Sequence, residues 1–139
     1  MRYAIKLQIV SAGFAFALFA ALELMMNVYR IGRWTGWEID TVNRTLLWIY
    51  IGGFFLSSFL FPLILLRWLE GRWANFWSLL LWMPYFLLFA YTFAEGFPIT
   101  DPGEYPNPIA GLIAIGAFVL YPIYLGLLNL AANAVRTFS

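Results

Sequence analysis

Two long apolar runs joined by a short charged connection dominate the pattern of hydrophobic and polar positions. Residues 46–66 and 73–94 contain no charged side chain. A helix rises about 1.5 Å per residue, so each run is long enough to cross the ~30 Å hydrocarbon core of a bilayer. The intervening six residues, Arg67 to Arg72, leave room only for a tight turn. This region therefore predicts an antiparallel pair of transmembrane helices.

Two further apolar runs flank this pair, at residues 7–29 and 109–135. With them the pattern predicts an all-α integral membrane protein with four transmembrane helices in an up-down-up-down bundle. We expect residues 1–139 to form a single four-span domain. Residues 30–45 and the proline-rich, acidic segment Glu95–Pro108 are expected to be loops, the second being a solvated loop in preference to a weak cation site.

The start of the chain has one alternative interpretation. A basic beginning, an apolar stretch and the small-residue sequence Ala15-Phe16-Ala17 also fit a cleaved signal peptide. However, the apolar pattern continues to Tyr29, and the apolar core of a signal peptide is only about 7–15 residues long. A retained first span is therefore favoured.

Composition agrees with a membrane protein and excludes several classes of site. The chain is 63% hydrophobic and 11% charged, whereas soluble domains are about 45–50% apolar and about 25% charged. The net charge of +1 argues against a nucleic-acid partner. Because the chain lacks both Cys and His, we expect no disulfide, no metal site and no haem or other cofactor.

Charge distribution predicts the orientation in the membrane. Four spans place both termini and the 67–72 connection on one side, which holds five of the eight basic residues: Arg2, Lys6, Arg67, Arg72 and Arg136. The opposite side holds three basic residues and most of the acidic ones: Arg30, Arg33, Arg44, Glu38, Asp40, Glu95, Asp101 and Glu104. By the positive-inside rule, both termini are predicted to be cytoplasmic.

Glu23 is the one ionisable residue within the four apolar runs. From the bounds of its run we place it about 7 Å from the bilayer centre, facing the bundle interior. Without a basic residue at its depth, desolvation favours the protonated acid. Its expected hydrogen-bond partners are Asn27, Tyr50, Tyr85 and Tyr121. It is either a structural acid, which is hydrogen-bonded in the interior or reaches towards Arg30, or a site that couples protons or cations.

Small residues predict where helices pack. Gly13, Ala17 and Ala20 share a face with Glu23, and Gly53 and Ser57 form a small-xxx-small pair in the second span. We expect both sets at helix–helix contacts. Four aromatic residues lie too deep for interfacial belts, and we expect them to fill the bundle in preference to lining a lipid or quinone groove: Trp82, Tyr85, Tyr121 and Tyr124.

These patterns favour a non-catalytic function. The leading hypothesis is an accessory or assembly subunit that packs against another membrane protein, or against itself, within the lipid bilayer. The alternative is a small oligomeric transporter or channel, coupled to protons or cations through Glu23. An enzyme is the weakest hypothesis, because the sequence shows no nucleophile–base pair, metal set or phosphate-binding loop.

Overall fold

A computed structural model describes residues 2–99, 102–106 and 108–138, and it shows helices joined by short connections with no β-strand in these ranges. The helices are α1 (Arg2–Met26), α2 (Val28–Thr35), α3 (Ile39–Arg67), a 3-10 helix (Trp73–Trp77), α4 (Ser78–Gly96), a 3-10 helix (Pro102–Glu104) and α5 (Pro108–Phe138). Four helical segments are long and apolar enough to cross a membrane: 2–26, 39–67, 73–96 and 108–137. The all-helical fold with four candidate spans is therefore confirmed.

The predicted first loop is largely helical. α2 and the start of α3 occupy most of residues 30–45, and only Gly36 to Glu38 separate the two helices. Gly36 has φ of +75° and donates its N–H to the Gly32 carbonyl, which ends α2. The apolar pattern marks only the hydrocarbon-length part of a helix, whereas the charged and tryptophan-containing flanks are also compatible with helix. The helices therefore extend beyond the apolar runs, and α3 begins at Ile39, before the run that starts at Leu46.

The buried face of α1 forms a continuous helical stripe. Its members follow the i, i+3, i+4 spacing of one helix face: Leu7, Val10, Ser11, Phe14, Ala15 and Leu18. Phe14 lies at the centre, with its ring 4.5 Å from that of Phe61 and its carbonyl accepting a 2.5 Å hydrogen bond from Tyr121. Gly13 is exposed, and Ala17 and Ala20 are only half-buried. The predicted small-residue face of α1 is therefore not the face that packs most closely within the described chain, which carries Phe14 and Leu18 together with the small residue Ala15.

The long helices pack in two pairs, α1 with α4 and α3 with α5. Phe16 contacts Phe89 and Phe19 contacts Phe93, so residue numbers rise together along α1 and α4. The short connection predicted a tightly packed hairpin of α3 and α4. The two helices pack instead against α5 and α1, so this prediction is wrong. The chain leaves α3 and crosses the end of the bundle before α4 begins beside α1.

That connection is itself part of the core. The N–H of Gly71 donates to the Leu65 carbonyl over 2.8 Å, and Glu70 and Gly71 both have positive φ. This arrangement resembles a Schellman-type helix end, which turns the chain sharply. The turn buries Leu69 completely. A Cβ at Gly71 would lie 3.0 Å from the Arg136 side chain, so glycine is required both for φ and for space.

Polar side chains secure this end of the bundle, which we call the Gly71 end (residues 2–6, 67–78 and 129–136). Asn75 donates to the carbonyls of Leu65 and Leu69 and accepts a hydrogen bond from Tyr3. Asn133 donates to the Gly71 carbonyl over 2.9 Å. These bonds join the start of α1, the connection and the end of α5, so the buried backbone groups of the turn are satisfied.

Candidate functional site

A cavity of about 390 Å³ opens at the opposite end of the bundle, which we call the Glu23 end (residues 23–30, 93–99 and 105–106). Its walls come from the end of α1, the start of α2, the end of α4 and the segment that precedes α5. The chemically informative members of its lining are Glu23, Asn27, Arg30, Phe93, Phe97 and Tyr105. The cavity thus lies beside the one carboxylate that the apolar pattern singled out.

Glu23 is positioned by the break between α1 and α2. At Asn27 the backbone leaves helical geometry, with φ of −109° and ψ of 22°. The Asn27 side chain folds back and donates both to the Glu23 carbonyl, over 2.7 Å, and to the Glu23 carboxylate, over 2.9 Å. The structure thus brings together Glu23 and Asn27, and the helix break holds the carboxylate at the wall of the cavity.

Arg30 forms the second charged part of the wall. Its side chain is 4% exposed, and Nη1 donates to the Phe97 carbonyl over 3.0 Å. The guanidinium also lies over the Trp34 ring, 5.8 Å from its centroid. Phe97 caps the end of α4. Arg30 therefore fastens α2 to the end of α4 and places a positive charge in the lining that also contains Glu23.

Glu23 lies nearer the end of the helices than its apolar run indicated. Because α1 begins at Arg2, its midpoint is Phe14, and Glu23 lies about 13 Å beyond it. Continuing the Phe16–Phe89 and Phe19–Phe93 pairing places Glu23 level with the last residues of α4. Half of a hydrocarbon core is about 15 Å. The expected depth of about 7 Å from the bilayer centre stays a prediction, and the structure places Glu23 three residues before the end of α1.

Of the three tyrosines predicted to be hydrogen-bond partners of Glu23, two donate to other residues and the third is not in the cavity lining. Tyr85 donates to Gln8 over 2.6 Å, and Tyr121 donates to the Phe14 carbonyl over 2.5 Å. Both acceptors lie on earlier turns of α1 than Glu23. Tyr50 lies half-buried on α3 and is not part of the cavity lining. Depth alone misassigned these residues, because it carries no information about which face of each helix is turned towards Glu23.

A different surface stands out along α3. This helix buries only Val42, Leu46 and Leu65, which lie towards its two ends. Gly52 and Gly53 are exposed, and a Cβ at either position would meet no non-neighbouring atom of the described chain within 4 Å. Ser57 turns instead towards α5 and shares a 2.8 Å hydrogen bond with the Tyr124 hydroxyl. The predicted contact at Gly53 is therefore not made within the described chain.

An apolar groove of about 220 Å³ lies beside this surface, between α3 and α5 near the Gly71 end. Phe59, Pro62 and Leu66 form the α3 wall, and Ala131 and Val135 form the α5 wall. Pro62 has no N–H to offer the helix, and alanine side chains leave space opposite it. Its first α3 residue, Phe59, follows the exposed Gly53 by six positions.

The deep aromatic residues fill the bundle, as expected, but one leaves a polar atom unsatisfied. Trp82 is 0% exposed and packs 4.9 Å from the Phe118 ring and 5.0 Å from the Tyr121 ring. Its Nε1 finds no hydrogen-bond acceptor among the described residues. An indole N–H at this depth costs free energy without a partner. Trp82 lines neither the cavity at the Glu23 end nor the apolar groove.

Comparison with known proteins adds no relative: no family model, no curated protein and no solved structure matches this chain.

Proposed function

We propose that this chain is a non-catalytic, multi-pass membrane protein that associates with a transmembrane helix of another protein, or of a second copy, through α3. The observation that carries the proposal is the open face at Gly52 and Gly53. Lipid-facing positions do not need small residues, whereas helix–helix contacts in membranes are enriched in them because they allow backbones to approach. α3 contributes few buried side chains to its own fold, so this face is free to serve a partner.

We further propose that the four spans run up-down-up-down with the Gly71 end in the cytoplasm. The pairing of residues supports this arrangement, because numbers rise together between α1 and α4. They also rise together between α3 and α5, where Phe54 contacts Tyr124 and, further along, Leu66 and Val135 line the same groove. Lys6 lies over Trp68 and Arg72 over Tyr3, so basic residues converge at this end. By the positive-inside rule such an end is retained in the cytoplasm.

Single-cysteine labelling tests the orientation in this cysteine-free chain. Ala74 and Gly103 are both exposed and lie at opposite ends of the bundle. In intact cells, an impermeant thiol reagent should label Gly103→Cys and spare Ala74→Cys until the cells are opened. Labelling of Ala74→Cys alone would reverse the orientation.

Association is tested by Gly53→Leu. Gly13→Leu is the matched control, because Gly13 is equally open but lies on α1, which already packs a stripe of its side chains within the chain. Both glycines are exposed, and a Cβ at either meets open space, so both variants should keep the stability of the folded monomer. We expect Gly53→Leu to lower the association by about tenfold, because a leucine side chain separates closely packed helices. The measurement is the fraction of protein in the larger species, determined in mild detergent and by energy transfer between labelled copies.

The two outcomes of this experiment separate association from folding. Loss of association in Gly53→Leu with retention in Gly13→Leu supports α3 as the contact. Equal association of both variants with the unmodified chain, at equal folded fraction, would contradict it. Energy transfer between copies would identify a homo-oligomer, and its absence together with a co-purifying chain would identify a different protein as the partner.

A second candidate is a small transporter coupled to protons or cations, and the cavity beside Glu23 is the observation that favours it. Glu23→Gln keeps the side-chain shape and a carbonyl oxygen for Asn27, so the variant should fold. If Glu23 couples transport, the variant should abolish pH-dependent uptake in proteoliposomes. Unchanged uptake in Glu23→Gln would remove this candidate.

A further inference from the structure

The Gly71 end carries a surplus of positive charge. Its described residues include five bases and one acid: Arg2, Lys6, Arg67, Arg72, Arg136 and Glu70. The Glu70 carboxylate accepts two hydrogen bonds from Arg72, over 2.8 and 3.2 Å. One carboxylate offsets one base at most, so the surplus belongs to the whole end and does not depend on the contacts of any single base. An anion is therefore attracted to this end.

The apolar groove between α3 and α5 leads to this charge. Leu66 and Val135 are the last lining residues on the two helices, and an arginine follows each of them directly. Arg67 and Arg136 are both exposed, and the Arg136 side chain lies against Gly71. Each wall of the groove is thus continued by a guanidinium.

Exposed tryptophans indicate the headgroup level at the same end. Trp68, Trp73 and Trp77 are all exposed, and indole rings favour the membrane–water interface. Because Trp68 directly follows Arg67, this arginine lies at the same level. Phe59, at the far end of the groove, lies about 12 Å deeper along α3. A ligand that follows the groove therefore has its polar part in the interface and its apolar part in the hydrocarbon core.

We propose that this groove binds an anionic phospholipid, with a segment of acyl chain between α3 and α5 and its phosphate at Arg67 and Arg136. The proposal rests on the membrane placement proposed above, but it does not rest on association through α3. It adds a lipid of defined charge to the surroundings of the chain.

The size of the groove favours an acyl chain over a helix of another protein. The groove has a volume of about 220 Å³, and its α3 wall, from Phe59 to Leu66, is about 10 Å long. A helical segment of that length, with a diameter of about 10–12 Å, occupies about 800 Å³ or more. Charge favours the same occupant. The cytoplasmic flank of a membrane helix is usually basic, so a partner helix would add like charge, whereas an anionic lipid brings the opposite charge.

The end of α3 is arranged so that its backbone does not oppose a phosphate. A helix C-terminus carries partial negative charge on its unsatisfied carbonyl groups. Here the Leu65 carbonyl accepts hydrogen bonds from the Gly71 N–H and the Asn75 side chain, over 2.8 and 3.3 Å. The full charge of Arg67 therefore outweighs what remains of the helix dipole.

The test is native mass spectrometry of the full chain in mild detergent, with phosphatidylglycerol and phosphatidylcholine of identical acyl chains. We expect phosphatidylglycerol to bind about tenfold tighter, because only this lipid carries a net negative charge. Arg67→Gln should lower the affinity for phosphatidylglycerol about fivefold, the usual contribution of one basic residue near an anionic lipid. The matched control is Arg44→Gln, an exposed arginine near the opposite end of α3, which should leave the affinity unchanged.

A second pair of variants tests the groove itself. Ala131→Phe fills the groove from an exposed position and should lower the affinity for phosphatidylglycerol at least tenfold. Ala134→Phe adds the same ring at an exposed position of α5 outside the groove and should leave binding unchanged. Thermal unfolding without added lipid should be the same for both variants.

A photoreactive residue at position 131 identifies the occupant in native membranes. Lipid adducts agree with the proposal, whereas a discrete protein adduct would assign the groove to a partner and overturn it. Equal affinity for the two lipids, equal effects of Arg67→Gln and Arg44→Gln, or unchanged binding in Ala131→Phe would also overturn it. Any of these results in a chain that still requires detergent for extraction would leave the membrane placement intact and remove the lipid site alone.

Discussion

α1 and α3 are similar in length and in apolar character but have different places in the fold. α1 buries a stripe of side chains along its first three-quarters, from Leu7 to Leu18. α3 buries three residues, none of them between Leu46 and Leu65. The comparison teaches that mean hydropathy identifies a span without indicating whether it supports its own chain or faces outwards. The difference lies in which helix faces the chain itself covers, because the exposed Phe54 and Phe55 of α3 are as large as the buried Phe14 of α1.

The largest expected effect separates the two helices by stability. Phe14→Ala should destabilise the fold by about 3–5 kcal/mol, because it empties a site enclosed by Phe61 and the Tyr121 contact. Phe55→Ala on α3 removes a side chain that is 68% exposed and should change stability little. The measurement is reversible unfolding in mixed micelles. Similar losses for the two variants would break the proposed distinction between α1 and α3.

A smaller effect concerns the hydrogen bonds that hold α3 against α5. The Tyr124 hydroxyl of α5 lies 2.8 Å from the hydroxyls of both Ser57 and Ser58. Tyr124→Phe should cost about 1 kcal/mol, the usual range for a polar contact between membrane helices. It should also increase cleavage or labelling of α3 relative to α1. Tyr91→Phe, at an exposed position of α4, is the control. A loss of stability in the control of the same size would show that Tyr124 does not fasten α3.

The smallest expected effect lies where the connection after α3 meets α1. Arg72 donates to the Glu70 carboxylate over 2.8 Å and lies over the Tyr3 ring of α1. This hydrogen bond and the Arg72 charge hold the pKa of Glu70 below its usual value of 4.5. Because the pKa is lower in the folded chain, the stabilisation is complete above about pH 5 and is lost as the pH falls through the folded value. The exposed site makes the effect small.

A comparison of unfolding at pH 7 and pH 3 measures this contribution. The unmodified chain should lose slightly more stability on acidification than Glu70→Gln, which cannot titrate at this position. Identical pH dependence of the two proteins would show that the Glu70–Arg72 pair does not stabilise the junction.

The sequence predicts the four spans because hydropathy over about 20 residues is a strong signal. It does not predict that α2 is helical, since a span-length pattern does not extend into charged flanks. It identifies Glu23 and Asn27 as neighbours through their i, i+4 spacing. It misses Arg30 as a wall of the cavity and misassigns Tyr85 and Tyr121, because contacts between helices depend on rotation and order around the bundle. The Arg30–Phe97 bond joins residues 67 positions apart and leaves no local pattern.

Photo-crosslinking in native membranes tests most directly whether α3 is the face that meets a partner. A photoreactive residue is placed at Leu56, near the exposed glycines of α3, or at Leu112 on α5, where exposure is 58% and 70% respectively. Association through α3 predicts a discrete protein adduct from position 56, reduced by Gly53→Leu, and mainly lipid adducts from position 112. Equal protein adducts from both positions, or lipid adducts alone from position 56, would contradict this account.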